Sequence, residues 1–286
     1  MIERLALLGV GLIGGSLIRA LKAENGVGHV VGYGRGEKNL QEALSLGVID
    51  EIAGSVKAAV AEADMVVIAV PLGAVETVMR EMKGHLKPDA VITDVGSVKW
   101  SVVKDAQQVF GGTVPPRFIP GHPIAGTEKS GAAASFAELY QGRRVILTPL
   151  DNRDEDALQK VTAMWSLAGA EVVEMGIQHH DEVLAATSHL PHLLAYGLVE
   201  ALAKQEAHRE IFRFAAGGFR DFSRIASSNP VMWRDISMAN RKPLLDTLAM
   251  FRKELDQMET MIRNKEDDAL LELFTRAKQA RDDHYE

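Results

Sequence analysis

Three glycines near the N-terminus, Gly9, Gly11 and Gly14, constrain the fold of this chain more than any other feature. They follow a short apolar run, residues 2–8, and precede an amphipathic stretch that continues to about residue 23. A second apolar run, residues 30–33, comes next. A strand, a glycine-rich turn, a helix and a second strand in this order predict a βαβ unit that binds a dinucleotide.

Each position of this turn has a physical role in such a unit. Gly9 permits the tight turn, Gly11 lets the backbone approach a pyrophosphate, and Gly14 lets the helix pack closely on the strand. The first helical turn, which contains Leu12 and Ile13, offers unpaired N–H groups and the positive end of the helix dipole to phosphate. An ordinary strand-to-helix turn with glycines at positive φ is the alternative, and the spacing favours the cofactor site.

The end of the second strand decides between NAD and NADP. NAD-preferring domains place Asp or Glu there to hold the ribose hydroxyls. This chain has Gly34 and Arg35 instead, with Glu37 further on. A missing carboxylate removes repulsion towards a 2′-phosphate, and a guanidinium can pair with that phosphate. The sequence therefore favours NADP, with NAD open because Arg35 could equally stack on an adenine.

Strands and helices continue to alternate through the first half of the chain. Four further apolar runs have the length of buried strands: residues 65–70, 90–95, 144–147 and 171–174. Helices are predicted between them at 75–83 and 155–167, and from about residue 178 helical periodicity takes over. We therefore predict an α/β fold: an N-terminal Rossmann-type doubly wound sheet over residues 1–176, followed by an all-α domain for substrate binding and dimerisation over residues 177–286.

A histidine lies between glycine and proline in the segment 121–128. Because Gly and Pro favour turns, we expect an irregular backbone there that holds the His122 ring in place. A fixed imidazole beyond a dinucleotide-binding unit can accept the proton of an alcohol during hydride transfer. Ser97 is expected on the cofactor side, because ligands bind beyond the carboxyl ends of parallel strands. Capping of a helix that begins at Val98 is an alternative role for this serine.

Polar groups within the helical half indicate a second part of the site. Ser188 and His192 are four residues apart and share a helix face, and Pro191 is expected to kink that helix. Buried polar groups at a kink favour a ligand or partner, with a hydrogen-bonded core histidine as the alternative. Arg224 lies between apolar neighbours, which predicts partial burial and binding of a planar carboxylate. A salt bridge from Arg224 to Asp221 is the alternative.

An apolar seam marks the last part of the chain. Its members recur at alternating steps of four and three residues: Leu244, Leu248, Phe251, Leu255, Met258 and Ile262. A period of about 3.5 residues is typical of helices that pack along their length. We expect a homodimer formed through this half, because so short a helical domain has little core of its own.

Composition narrows the class of protein. The net charge of −7 and the pI near 5.8 argue against a nucleic-acid partner. The chain has no cysteine, and the adjacent His179 and His180 are predicted to be surface polar residues, so no metal is expected. No apolar run reaches the length of a membrane span and the N-terminus lacks a basic leader. We therefore predict a cytoplasmic enzyme without membrane contact.

With these segments on one chain, the sequence resembles the prephenate/arogenate (cyclohexadienyl) dehydrogenases of tyrosine biosynthesis over essentially its whole length. The segments that carry the resemblance are residues 9–14, 94–99, 121–128, 188–192, 217–224 and 232–235. A glycine-rich turn alone is shared by many families, whereas this ordered set is specific.

The resemblance implies oxidation of the ring hydroxyl of prephenate, with hydride transfer to a nicotinamide and loss of the ring carboxylate as CO2, which gives 4-hydroxyphenylpyruvate. By matching motif, His122 accepts the hydroxyl proton, and Ser97 hydrogen-bonds to His122 and helps to place it beside the nicotinamide. Ser188, His192 and Arg224 line the substrate pocket, with Arg224 holding a carboxylate. The other pocket residues that the resemblance implies are Thr127, Glu128 and Trp233.

Three other functions stay open at this point. Arogenate differs from prephenate only in carrying an amino group in place of a keto group. A β-hydroxyacid dehydrogenase needs a lysine on a helix of the second domain, and Lys204 lies away from the His192 face. A nucleotide-sensing regulator without catalysis would not need four polar groups together, namely His122, Ser97, His192 and Arg224.

Overall fold

Strands and helices alternate along the first part of the chain, and helices alone follow. The structure is a computed structural model, and it describes residues 1–285. The strands are β1 (Ile2–Leu8), β2 (Val27–Tyr33), β3 (Glu51–Ile52), β4 (Met65–Ile68), β5 (Val91–Asp94), β6 (Phe118–Ile119), β7 (Gly121–Pro123), β8 (Arg144–Leu147) and β9 (Glu171–Glu174). The α-helices are α1 (Leu12–Ala23), α2 (Glu37–Ser45), α3 (Val56–Val60), α4 (Val75–Met82), α5 (Lys99–Phe110), α6 (Glu155–Leu167), α7 (Ile177–Leu184), α8 (Leu190–Ala203), α9 (His208–Arg213), α10 (Gly217–Ser223), α11 (Pro230–Ala239), α12 (Arg241–Asn264) and α13 (Asp267–Tyr285).

The first six strands form one parallel sheet. Their order is β3-β2-β1-β4-β5-β6, and every neighbouring pair is parallel. This is the strand order of a doubly wound dinucleotide-binding fold, which confirms the predicted fold class. The order reverses between β1 and β4, so a crevice opens beyond the carboxyl ends of these two strands. The glycine-rich turn follows β1 and Ser97 follows β5, which places both at this edge of the sheet.

The parallel sheet is covered on both faces. In β1, Leu5 and Leu7 belong to one hydrophobic core, whereas Ala6 and Leu8 belong to a second core on the opposite face. Strands β4 and β5 are buried at every position, and for this reason their sequences are continuously apolar rather than alternating, up to Thr93 and Asp94 at the end of β5. Two cores of this kind fix the carboxyl edge of the sheet, where the site is built.

A second, three-stranded sheet carries His122. Its order is β7-β8-β9, with β7 antiparallel to β8 and β8 parallel to β9. His122 pairs with Ile146 in a regular strand, so the prediction of an irregular backbone at this histidine is wrong. Pro123 is compatible with a strand here because β7 lies at the sheet edge, where proline is tolerated. The expected consequence still holds, since pairing on both sides of His122 fixes the position of the ring.

The helical part begins directly after β9. Helix α7 continues into a π-helical turn, Ala185–His189, and then into α8, so Pro191 lies just after a widened turn. By the density of its internal contacts the chain divides into two compact units, Met1–Arg241 and the residues from Lys242 onward. The domain boundary at residue 176 stays a prediction.

The predicted apolar seam lies along α12. It is buried at Leu244, whereas Leu255 and Ile262 are 46% and 63% exposed. On α13, Leu271 and Phe274 are likewise exposed. None of the helices in residues 1–285 combines the length and apolar character that a membrane span requires.

Candidate active site

The glycine-rich turn, residues 9–14, has the geometry of a phosphate cradle, and we call it the dinucleotide cradle. Gly9 has φ +101°, and a Cβ there would lie 2.4 Å from the Ala69 carbonyl oxygen. A Cβ at Gly14 would lie 2.7 Å from Leu7 Cδ1, whereas one at Gly11 would have no atom within 4 Å. Gly9 and Gly14 are therefore needed by the fold itself, and Gly11 keeps open a space that a ligand can use.

The first turn of α1 faces that space with its backbone. Helix α1 begins at Leu12, and its N-cap residue, Gly11, provides no side-chain cap for the first N–H groups. Uncapped N–H groups and the positive end of the helix dipole together form a site for phosphate. The residues present therefore fit a dinucleotide: Gly11, Leu12, Ile13 and Gly14 would hold its pyrophosphate.

The end of β2 is open at the position that distinguishes the two nicotinamide cofactors. Arg35 is exposed, and no hydrogen bond or ion pair engages it within residues 1–285. A Cβ at Gly34 would meet only the Leu40 side chain, with Cδ2 at 3.6 Å, which is ordinary van der Waals contact. The glycine is thus not required for packing, and a side chain could be accommodated there.

His122 is buried in β7 and is held through one ring nitrogen. Its Nδ1 lies 2.9 Å from Nε2 of His180, a residue of α7 that is 58 positions away in the chain. Burial lowers the pKa of His122 well below its usual value, and the neighbouring His180 and Lys99 lower it further. The ring is therefore neutral around pH 7, which is the form that can accept a proton.

A buried lysine lies behind the histidine strand. The Lys99 ammonium donates to Asp94 Oδ2 and to the Gly121 carbonyl, at 2.5 Å in each case. Burial lowers the pKa of Lys99, while the Asp94 carboxylate opposes that shift. Because Gly121 immediately precedes His122, the Lys99–Asp94 pair ties the histidine strand to the end of β5.

Asp181 connects α7 to the start of α5. Its Oδ1 accepts from the Lys99 N–H at 2.8 Å and its Oδ2 from the Trp100 N–H at 2.9 Å. The same Oδ1 accepts from His180 Nδ1 at 2.8 Å. We call His122, His180 and Asp181 the imidazole cluster. It joins three segments of the chain in one buried hydrogen-bond series.

Ser97 lies at the carboxyl edge of the sheet, as expected, but its local role differs. Helix α5 begins at Lys99 and receives its cap from Asp181, so the capping role considered for Ser97 is wrong. The hydrogen bond expected between Ser97 and His122 is not formed, because His122 Nδ1 is paired with His180 instead. The half-buried Ser97 hydroxyl makes no hydrogen bond to any group in the described part of the chain. It is consequently available to a ligand at this edge.

The segment after β7 lies next to the dinucleotide cradle. A Cβ at Gly126 would lie 4.0 Å from Ile13 Cδ1, so the segment that follows His122 passes beside the first turn of α1. Thr127 and Glu128 lie just beyond and are exposed. Thr127 accepts a hydrogen bond from the Lys129 N–H at 3.2 Å through its hydroxyl, which shapes this turn.

A second group of buried donors surrounds Trp233 on α11. The Asn240 amide donates both to the Asp181 carbonyl at 2.7 Å and to His189 Nδ1 at 2.9 Å. Burial lowers the pKa of His189 to about 4, so its ring is neutral and carries its hydrogen on Nε2. His189 Nε2 and Trp233 Nε1 are both buried and have no partner among the residues that the structure describes. Unpaired buried donors indicate a place for ligand oxygen atoms.

His192 is packed against the same tryptophan. Its ring stacks on Trp233 with centroids 3.5 Å apart and planes 18° apart. His192 Nδ1 donates to the Ser188 carbonyl at 2.9 Å, so these residues do share a helix face, linked through the backbone. The π-helical turn at Ala185–His189 ends two residues before Pro191, which cannot supply a backbone N–H. Such turns occur frequently at functional sites.

Arg224 is more exposed than expected. Its side chain is 65% exposed, so the partial burial predicted from its apolar neighbours is wrong. The reason is that it lies in a short 3-10 turn after α10, where Phe222 is itself 41% exposed. The nearest carboxylate oxygen is Glu128 Oε2, 3.8 Å from Nη1, rather than Asp221. An exposed guanidinium with one long ion pair can readily exchange it for a ligand carboxylate.

Several residues at the site were missed at the level of sequence: Asp94, Lys99, His180, Asp181, His189 and Asn240. The prediction that His180 lies on the surface is wrong, since it is completely buried, whereas His179 is exposed. A signal did exist, because His180 and Asp181 share the helical spacing of the apolar Ile177 and Leu184. In residues 1–285 no group of three or more His, Asp or Glu side chains could hold a metal ion.

Comparison with known proteins gives the same assignment for both halves of the chain. Residues 17–174 match the family model described as the prephenate dehydrogenase nucleotide-binding domain. Residues 177–276 match the model described as the prephenate dehydrogenase dimerization domain.

Individual relatives agree over nearly the full length. The chain is 38% identical to a cyclohexadienyl dehydrogenase of Zymomonas mobilis, covering 98% of this chain and 95% of that protein. It is also 38% identical to a prephenate dehydrogenase of Bacillus subtilis, covering 99% and 76%. The crystal structure of Aquifex aeolicus prephenate dehydrogenase in complex with hydroxyphenyl propionate and NAD+ superposes with a TM-score of 0.91 at 34% identity, covering 99% and 98%. The chain therefore belongs to the prephenate dehydrogenase family.

Proposed function

We propose that the protein catalyses the oxidative decarboxylation of prephenate to 4-hydroxyphenylpyruvate, with NAD(P) as the hydride acceptor. The observation that carries the proposal is a buried His122, fixed in β7, whose following segment passes beside the dinucleotide cradle. Family membership supports the same reaction.

The chain's own residues would contribute a base and the orientation of the substrate. When bound, the nicotinamide supplies the acceptor for the hydride. His122 would take the proton of the ring hydroxyl, and Ser97 would hydrogen-bond to the hydroxyl oxygen. General base catalysis of this kind contributes about 10²- to 10⁴-fold in rate. Loss of CO2 leaves an aromatic ring, so the protein has mainly to orient the hydroxyl and to receive its proton.

The substrate's carboxylates and carbonyl would be held from the helical side. Arg224 would bind a carboxylate with its two-pronged guanidinium, replacing its long contact with Glu128. His189 Nε2 and Trp233 Nε1 are buried donors that oxygen atoms of the substrate can satisfy. The remaining wall of the pocket would be formed by Thr127, Glu128, Ser188 and His192.

We propose that the protein prefers NADP to NAD. Arg35 is exposed and without a partner in residues 1–285, so it can pair with a 2′-phosphate. NAD is the alternative, and the solved A. aeolicus relative was crystallised with NAD+. Arg35→Ala should raise the KM for NADP and leave that for NAD nearly unchanged. Gly34→Asp, which the space at this position accommodates, should shift the preference towards NAD.

The deciding experiment is a set of initial rates with prephenate and with arogenate, each against NAD and NADP. Turnover of prephenate to 4-hydroxyphenylpyruvate and CO2 is the expected result. Turnover of arogenate alone would make tyrosine the product and would replace the proposed substrate. No turnover of either compound, together with normal cofactor binding, would favour the nucleotide-sensing regulator.

The proposal also includes a homodimer formed through the helical part and a cytoplasmic location. The dimer is supported by the match to a dimerization domain and by the exposed apolar residues of α12 and α13. Light scattering of the purified protein measures its mass directly, and a monomer at micromolar concentration would contradict the proposal.

The proposed cytoplasmic location rests on the sequence prediction alone.

A further inference from the structure

We propose that His180 and Asp181 are positioning residues that fix one tautomer of His122, with hydrogen on Nδ1 and the lone pair on Nε2. The inference goes beyond the proposed function and rests on it in one respect, the role of His122 as the base. It assigns a task to two buried residues outside the motif that contains the histidine.

The direction of the hydrogen bonds follows from the one group in the series that only accepts. Asp181 Oδ1 lies 2.8 Å from His180 Nδ1, and a carboxylate oxygen has no hydrogen to give, so the imidazole donates. A neutral His180 then carries its lone pair on Nε2. That nitrogen lies 2.9 Å from His122 Nδ1, so His122 must be the donor in this pair. A neutral His122 is left with its lone pair on Nε2.

The surroundings keep both rings neutral. His122 and His180 are buried, and burial lowers the pKa of each. The Lys99 ammonium adds to the shift in both rings, whereas Asp181 opposes it in His180 alone. A second proton on His180 would go to Nε2 and would face the Nδ1–H of His122 across 2.9 Å, so the two hydrogens would repel each other.

The arrangement also decides how Asp181 itself is held. Its two oxygens accept from the Lys99 and Trp100 N–H groups as well as from His180. These backbone donors begin a helix of 12 residues, so the carboxylate cannot turn away without uncapping α5. The orientation of the His122 ring is thus coupled to a rigid element of the dinucleotide-binding half.

The reaction gives the tautomer its purpose. The proton leaves the substrate's hydroxyl oxygen and bonds to His122 Nε2, and the electron pair of the O–H bond forms the carbonyl. The C–H bond of the same carbon would break with its electron pair as hydride, for which a bound nicotinamide would be the acceptor. His122 becomes a cation whose Nδ1–H still points at His180 Nε2. Through His180 the new charge is stabilised by the Asp181 carboxylate. In the opposite tautomer Nε2 would already carry hydrogen, and no base would face the substrate.

A matched pair of variants at position 180 tests the proposal. His180→Gln retains an oxygen that can accept from His122 Nδ1, whereas His180→Leu retains the bulk without an acceptor. We expect His180→Leu to lower kcat by 100-fold or more with KM for prephenate changed less than threefold. His180→Gln should recover at least tenfold of the lost kcat. Imidazole ¹⁵N–¹H correlation spectra, recorded without substrate, should show His122 protonated at Nδ1 in the wild type and a mixture of tautomers in His180→Leu.

A third variant protects the test against a simple folding defect. Asp181→Asn can present an amide donor to His180, which would reverse both rings and protonate His122 at Nε2. A wrong tautomer caused by the equivalent change in serine proteases lowers kcat by about 10⁴-fold. Unchanged kcat in His180→Leu, equal losses in the Gln and Leu variants, or wild-type His122 protonated at Nε2 would each overturn the proposal. Because the spectra need no substrate, failure of the tautomer assignment is distinguishable from failure of the proposed reaction.

Discussion

The dinucleotide cradle and the imidazole cluster lie at the same edge of the parallel sheet, but they are built in opposite ways. The cradle consists of consecutive residues that act through their backbone. The lack of a side chain at Gly11 leaves the space that a ligand can use. The cluster consists of buried side chains from distant segments, with His122 and His180 separated by 58 positions. A backbone site needs space and uncapped N–H groups, whereas the cluster needs burial and complete hydrogen bonding to set its charge state.

This difference predicts which substitutions lower kcat and leave cofactor affinity unchanged. His122→Asn should lower kcat by about 10²- to 10⁴-fold, the usual contribution of a general base. Cofactor affinity, measured by quenching of protein fluorescence, should stay within twofold, because the cradle does not include this residue. His179→Asn is the matched control, since His179 is an exposed histidine of α7. Full activity in His122→Asn would remove the histidine as the base.

The helical side of the site should show a different kinetic signature. Arg224→Ala should raise the KM for prephenate by about 10- to 100-fold, because a hydrogen bond to a charged group contributes about 1.5–3 kcal/mol. Arg209→Ala, an exposed arginine on α9, should leave KM unchanged. An unaltered KM in Arg224→Ala would mean that another group binds the carboxylate. The buried donors on His189 and Trp233 would then be the next candidates.

The same contrast explains what could be predicted from the sequence. The cradle and the position of Ser97 follow from local patterns, because each is encoded within a few consecutive residues. His180 and Asp181 were missed because their role depends on a contact between α7 and the start of α5 that no local pattern encodes. The prediction for Arg224 was wrong for a different reason. Its apolar neighbours indicated burial, but the turn on which it lies is exposed.

Two glycines of the cradle should separate binding from folding. Gly11→Ala should weaken cofactor binding about tenfold or more and leave the melting temperature unchanged, because a Cβ there meets nothing in the protein. Gly9→Ala should instead destabilise the fold by more than about 1 kcal/mol, since φ is +101° and its Cβ would overlap the Ala69 carbonyl. Thermal melts with and without cofactor measure both effects. Equal loss of stability in the two variants would contradict the distinct roles assigned to these positions.

The smallest effect we predict is the contribution of the buried histidines to stability as a function of pH. Burial lowers the pKa of His122, His180 and His189, the last from 6.5 to about 4. Below pH 6.5 the unfolded chain binds protons that the folded chain excludes, so stability is retained above that value and lost as the pH falls towards 4. Within that window, each such histidine lowers the free energy of unfolding by about 1 kcal/mol for every unit by which the pH falls.

The free energy of unfolding, measured in urea between pH 7.5 and 5, should therefore fall more steeply for the wild type than for His122→Asn, which has one buried imidazole fewer. His179→Asn should retain the wild-type slope, because it removes an exposed imidazole and leaves the buried ones in place. Identical slopes in all three proteins would mean that His122 is charged when folded. In that case its Nε2 could not serve as the base, and the contrast between a backbone cradle and a side-chain cluster tuned by burial would lose its chemical basis.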